Sequence, residues 1–208
     1  MSKKKSSAKK AAHAEHRALA PLVALRDSRA VKALEPLAKA SDEPPLMLLA
    51  LGTLAAGTLL RRPTMIRTGA RMVASHLVAT GAKTLLKAAV DRTRPHAAGD
   101  RPSVKKGTGT KDKSKNAFPS GHTAGAVAVA QAVAHEVPGA APAARALAGT
   151  AGALQVPRGA HYLSDVIAGA AVGWLSERIA GVALKAADRG RMRLLDRRAE
   201  EEAAAHPS

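Results

Sequence analysis

Pro44-Pro45-Leu46-Met47-Leu48-Leu49-Ala50-Leu51-Gly52-Thr53-Leu54-Ala55-Ala56-Gly57-Thr58-Leu59-Leu60-Arg61-Arg62 decides the fold class. Between the proline pair and the arginine pair lie fifteen residues without a charge, from Leu46 to Leu60. Such a run is short of the roughly 20 residues that span hydrocarbon, but flanking prolines and snorkelling arginines extend it, which makes it the best transmembrane candidate in the chain. Upstream, Met1–Lys10 carries Lys3, Lys4, Lys5, Lys9 and Lys10 among serines, is too poor in apolar residues to fold, and reads as a tail. From Arg17 to Lys39, Leu19, Leu22, Val23, Leu25, Val31, Leu34 and Leu37 recur at near-helical spacing. This suggests an amphipathic helix, broken near Pro36, that lies at an interface or packs on a core.

Downstream, four further helical segments are expected, at about Gly69–Val90, His122–Val137, Ala143–Val156 and Ser164–Ala187, with Pro138-Gly139 and Pro157 ending two of them. Gly69–Val90 carries Arg71, His76, Lys83 and Lys87, which have to turn inward or toward an interface, and the same holds for Glu177 and Arg178 in the last segment. Gly169 and Gly173 have the spacing that lets helices approach closely, a pattern that also arises by chance in a chain with 49 alanines. Ala97–Lys115, rich in Gly, Lys, Thr and Ser, reads as a long mobile loop. The expected organisation is therefore a basic tail and amphipathic helix over residues 1–43, a helical transmembrane domain over 44–187, and a charged tail over 188–208. The fold class is all-α, a multi-helix transmembrane bundle.

Composition narrows the chemistry. Lys and Arg number 33 against 16 Asp and Glu, a formal charge of +17, which invites nucleic acid, an anionic membrane surface or a phosphorylated substrate. Trp174, Tyr162 and Phe118 are the only aromatics, which argues against base-stacking platforms, and no nucleic-acid-binding motif is present. Nucleic acid is accordingly not an expected partner. Without cysteine, disulfides, thiolate metal sites and thiol nucleophiles are excluded, so His, Asp, Ser, Lys and Arg must carry any reaction.

Three clusters place such residues at helix ends. Lys87 closes one helix and Arg94 lies just beyond it, two cations suited to a phosphate, although basic residues at a helix C-terminus also simply complement its dipole. Phe118-Pro119-Ser120-Gly121-His122 opens another helix, whose free N–H groups favour an anion, while Ser120 equally reads as an N-cap. In His161-Tyr162-Leu163-Ser164-Asp165 the carboxylate follows the histidine by four residues, within reach of one ring nitrogen; the same pair is also common as a structural contact.

In this order the three motifs resemble those of the type 2 phosphatidic acid phosphatases, relatives of the vanadium haloperoxidases, over about Leu46–Ala187. The resemblance implies a metal-independent, cofactor-free phosphatase acting on a lipid phosphate through a phosphohistidine: His161 as nucleophile, Asp165 orienting it, and His122 as acid. Lys87, Arg94, Ser120 and Gly121 would cradle the phosphate oxygens, at an active site on the membrane interface. It implies a multi-pass protein of the cell membrane with the site on the extracytoplasmic side. Substrates of the phosphatidic acid, phosphatidylglycerol phosphate or polyprenyl diphosphate class follow.

One departure stands out. The third motif of the family begins Ser-Arg where this chain has Leu154-Gln155, and Arg158 is expected to reach the same phosphate from a different backbone position. The missing charge also motivates the alternative of a catalytically weak lipid-phosphate-binding protein.

Overall fold

The structure, a computed structural model, describes residues 2–110 and 112–205. Met1, Lys111 and residues 206–208 lie outside the described residues, and with them one end of each expected tail and one position of the Ala97–Lys115 loop. Helix α1 spans Ser2–Val23, so the described part of the lysine run is helical, and a 3-10 turn leads to the short helices α2 (Arg29–Ala33) and α3 (Glu35–Ala40). The apolar run forms α4 (Glu43–Leu59), with its prolines in the first turn, where no intrahelical N–H is needed. Next come α5 (Pro63–Ala89), α6 (Gly121–Glu136), α7 (Ala141–Ala153) and α8 (Leu163–Ala205). The five expected helices all form, with two shifts. α5 begins earlier because Pro63 is an acceptable first residue, and α8 runs past Ala187 because nothing in its balanced charges or alanines stops a helix.

The all-α expectation needs one correction. Val90–Arg92 (β1) and Val104–Lys106 (β2) pair antiparallel, with Val90 opposite Lys106 and Arg92 opposite Val104. The segment expected to be a mobile loop is thus partly a ribbon. Two three-residue strands leave no periodicity to read, and only their pairing reveals them.

α5 lies against α4, α6 and α8, and α6 also packs on α7. The core is built largely of small residues: Ala126, Ala130 and Ala148 form one buried cluster, and Leu46, Ala50, Met72, Val129 and Ala132 form another. Small side chains bring helix axes together, and at the α6–α8 seam glycine is required. A Cβ on Gly169 would collide with the Ser120 carbonyl, and one on Gly173 with the Ala124 carbonyl. The chance-like spacing is therefore the contact itself.

Arg71 and Glu177 on the long helices turn inward, whereas Arg178 stays exposed. Arg71 of α5 donates from Nε to Glu177 of α8 at 2.7 Å, and Glu136 of α6 lies 3.5 Å from its Nη1. Arg178 rests over the Trp174 ring at 4.9 Å from its centroid. Large apolar side chains instead face outward, among them Leu48, Leu49, Leu51 and Leu59 of α4 and Ile167, Leu175, Ile179 and Val182 of α8. Among the described residues α8 is the one helix long and apolar enough to cross a membrane by length and composition, and α4 is apolar but shorter.

Candidate active site

The C-terminal end of α5 and the N-terminal ends of α6 and α8 meet around a cavity of about 490 Å³. Lys87, Arg94, Gly121, His122 and His161 line it, together with Lys83, Lys113, Asp42 and Glu43. The three sequence clusters thus converge on one place.

His161 sits in the turn between α7 and α8, 1 % exposed. Its Nδ1 donates to the Ala117 carbonyl at 2.6 Å. A carbonyl only accepts, so Nδ1 carries the proton and Nε2 keeps its lone pair. Burial first, then the charges of Arg94 and Lys87, hold the His161 pKa well below the usual histidine value, so the ring is neutral at neutral pH.

The expectation that Asp165 binds this ring is corrected. Its Oδ2 stands 4.0 Å from Nδ1, beyond hydrogen-bond range. One oxygen of Asp165 accepts from Arg92 Nη1 at 2.6 Å and the other from the Tyr162 N–H at 2.9 Å. The carboxylate therefore shapes the turn that carries His161, and the direct ring partner is the Ala117 carbonyl.

Arg92 is the centre of a buried network. It also donates to Glu15 of α1 at 2.6 Å and to Ser164 at 2.7 Å, and its guanidinium lies 4.2 Å from the Tyr162 ring centroid. Glu15 in turn accepts from the Ser164 N–H at 2.9 Å, at the N-terminus of α8, where a negative charge is favourable. No local pattern announces Glu15, because its partners come from β1 and α8.

Ser120 is an N-cap: its Oγ accepts from the Thr123 N–H at 3.4 Å, and its own N–H donates to the Asp165 carbonyl at 3.0 Å. Gly121, one residue on, lines the cavity, whereas Ser120 does not. Lys87 reaches the Asn116 carbonyl at 2.6 Å. Lys83, one turn earlier on the same face and paired with Glu43, was missed, although the four-residue spacing from Lys87 signals a shared face.

Gln155 is fully buried, donating to the Ala151 carbonyl at 2.9 Å, while its own backbone carbonyl accepts the N–H groups of Ala160 and His161, both at 3.1 Å. Its Oε1 accepts from Arg158 Nη1 at 3.2 Å. Arg158 lines an adjoining cavity of about 320 Å³, which shares Arg94 with the first. Among the described residues no group of three or more His, Asp or Glu has the arrangement of a metal site.

The rings of His161 and His122 lie 6.1 Å apart between centroids, near enough to face one phosphoryl group. Two histidines, two cations and a helix N-terminus thus meet at one end of a helical bundle. A sequence model of the PAP2 superfamily matches residues 68–186, more than half of the chain. The chain belongs to the PAP2 superfamily. The crystal structure of Aquifex aeolicus LpxE is similar with a TM-score of 0.60 at 19% identity, covering 79% of this chain and 92% of that one. That of a transmembrane PAP2-type phosphatidylglycerolphosphate phosphatase from Bacillus subtilis gives 0.63 at 22%, covering 86% and 87%. No curated protein matches the chain.

Proposed function

We propose that the protein is an integral membrane phosphatase that hydrolyses a phosphate monoester or diphosphate on a lipid through a phosphohistidine on His161. The observation that carries this reading is the tautomer of His161: Nδ1 is tied to Ala117, so Nε2 is the nucleophile, and the ring faces Lys87, Arg94 and His122. Phosphoryl transfer needs positioning and charge stabilisation more than covalent help, which cations and N–H donors supply. Lys87, Arg94 and the Gly121 end of α6 hold the equatorial oxygens. His122 protonates the leaving oxygen and later accepts a proton from water. Asp165 orients the nucleophile's turn from behind.

The outward leucines of α4 and the apolar half of α8 support a multi-pass arrangement for residues 44–187, with 1–43 along the interface and 188–208 in solvent. The site then lies at the membrane surface, on the extracytoplasmic side by family likeness. Purified protein in detergent should release inorganic phosphate from at least one of phosphatidic acid, phosphatidylglycerol phosphate and a polyprenyl diphosphate, with the rate unchanged by EDTA. Loss of activity in EDTA, restored by a divalent ion, would overturn the metal-free mechanism.

A second reading, a weak lipid-phosphate-binding protein, is favoured by one observation: the neutral, fully buried Gln155 stands where the family motif has arginine. Arg158 separates the two. If it supplies the missing charge beside Arg94, Arg158→Ala should cost about 2 kcal/mol of transition-state stabilisation, roughly 30-fold in kcat/KM. Equal turnover in variant and wild type would favour the weakened enzyme.

A further inference from the structure

We propose that Asp42 is a positioning residue that favours the proton-bearing form of His122, so that Asp42 and His122 together form the acid of the reaction. The proposal rests on the phosphatase reading above.

Ser41-Asp42-Glu43-Pro44 has the composition of an ordinary helix start, and the ordinary role for Asp42 is to cap α4. It does not do so. Asp42 has the extended backbone of an N-cap, with φ −68° and ψ 160°, yet its side chain makes no capping hydrogen bond. Instead its Oδ1 contacts Nε2 of His122 at 2.5 Å, across to the first turn of α6. Among the described residues, His122 Nδ1 makes no hydrogen bond to protein, and the ring lines the cavity. Asp42 also lies outside residues 68–186, the part matched by the family.

The surroundings explain why a carboxylate is needed there. His122 stands at a helix N-terminus, where the dipole disfavours a cation. From α5 the cavity receives Lys83 and Lys87, with His76 deeper in it; from the segment before α6 come Arg94 and Lys113. From the turn before α8 come His161, which shares the cavity, and Arg158, whose charge acts on His122. Of the two carboxylates on this wall, Glu43 is engaged by Lys83. Asp42 is the one that touches the imidazole. Burial first, and then the charges of Arg158 and Arg94, hold the His122 pKa below the usual histidine value, and Asp42 is the group that opposes them; without it the ring would lose its proton more readily and a lipid alkoxide would leave unprotonated.

The step balances as follows. Nε2 of His161 attacks phosphorus, the bond to the lipid oxygen breaks with its electron pair going to that oxygen, and Nδ1 of His122 gives that oxygen its proton. Asp42 stays a carboxylate throughout and accepts the Nε2–H. Water then attacks the phosphohistidine, its proton goes to His122 Nδ1, and the phosphorus–nitrogen pair returns to His161.

The test compares leaving groups on the full chain in detergent. An alkyl lipid phosphate needs a protonated leaving group, whereas p-nitrophenolate leaves without one. Asp42→Asn should lower kcat for the lipid phosphate about 100-fold with little change in KM, yet lower that for p-nitrophenyl phosphate less than about threefold. Its basic pH limb should move about one unit toward acid, and Asp42→Glu should restore part of the rate. The His122 ring titration, followed by nitrogen-15 NMR, should shift the same way without any turnover. Equal losses on both substrates, or an unshifted His122 titration in folded Asp42→Asn, would overturn the proposal. A wild-type protein that hydrolyses neither substrate would overturn the phosphatase reading alone, since the titration still decides what Asp42 does to His122.

Discussion

Replacing His161 with alanine should remove turnover to background, a loss on the order of 10⁴-fold or more in kcat/KM, because no other group can form the covalent intermediate. Binding of the ground-state phosphate should change little, since Lys87 and Arg94 remain. A phosphate-binding titration beside the rate measurement separates the two effects. The pH profile carries the same residue's signature. His161 attacks only when unprotonated, and its pKa is held well below the usual value by burial and by Arg94 and Lys87. Activity should therefore persist as pH falls through about 6.5, the ordinary histidine value, and decline only at more acid pH. An acid limb centred at or above that value in kcat/KM would contradict a buried neutral nucleophile.

Arg92→Met should be the most damaging single change to stability outside the catalytic histidines, costing about 3–5 kcal/mol, because it leaves buried charge without its partner. The Arg92 side chain is 8% exposed and divides between Asp165 and Glu15, both at 2.6 Å, with the Asp165 side chain at 0%. Removing it strips both carboxylates of their cation, and Asp165 has no water to replace it. Thermal unfolding in detergent should show the loss. The rate should also fall, as the Asp165 turn that carries His161 loosens. Glu15→Gln in the Arg92→Met background should recover part of the stability, since one of the two unpaired charges is then gone, and a double-mutant cycle reads that coupling. Additive losses would show that Glu15 and Arg92 act independently.

Much of the site was legible beforehand because its parts are local. Lys87 and Arg94 follow a helix end, Gly121 and His122 begin one, and His161 precedes another, so helical spacing alone puts each at the mouth of its own helix. The partners were not legible. Asp165 lies four residues from His161, and on spacing alone it belongs to that ring, yet Arg92 and the Tyr162 N–H claim its oxygens. Ser120 carries the phosphate motif and is nonetheless absorbed as a cap. Gln155, which the family resemblance reads only as a missing arginine, holds the backbone of His161 through its own carbonyl.

By itself, the sequence determined the helices and the chemistry-bearing ends. An uncharged run bounded by Pro44-Pro45 and Arg61-Arg62, recurrent alanines and the helix-ending Pro138-Gly139 and Pro157 depend on interactions within a few residues, which any chain with this order must make. Only the tertiary structure decided which end met which, and with it the β1–β2 ribbon, the contact of Glu15 with Arg92, and the contact of Asp42 with His122. Helical periodicity says which face a side chain occupies, but not what stands opposite. That was settled by how closely the small residues let the helices pack, with Gly169 and Gly173 bringing α8 against α6 until the motifs shared one cavity.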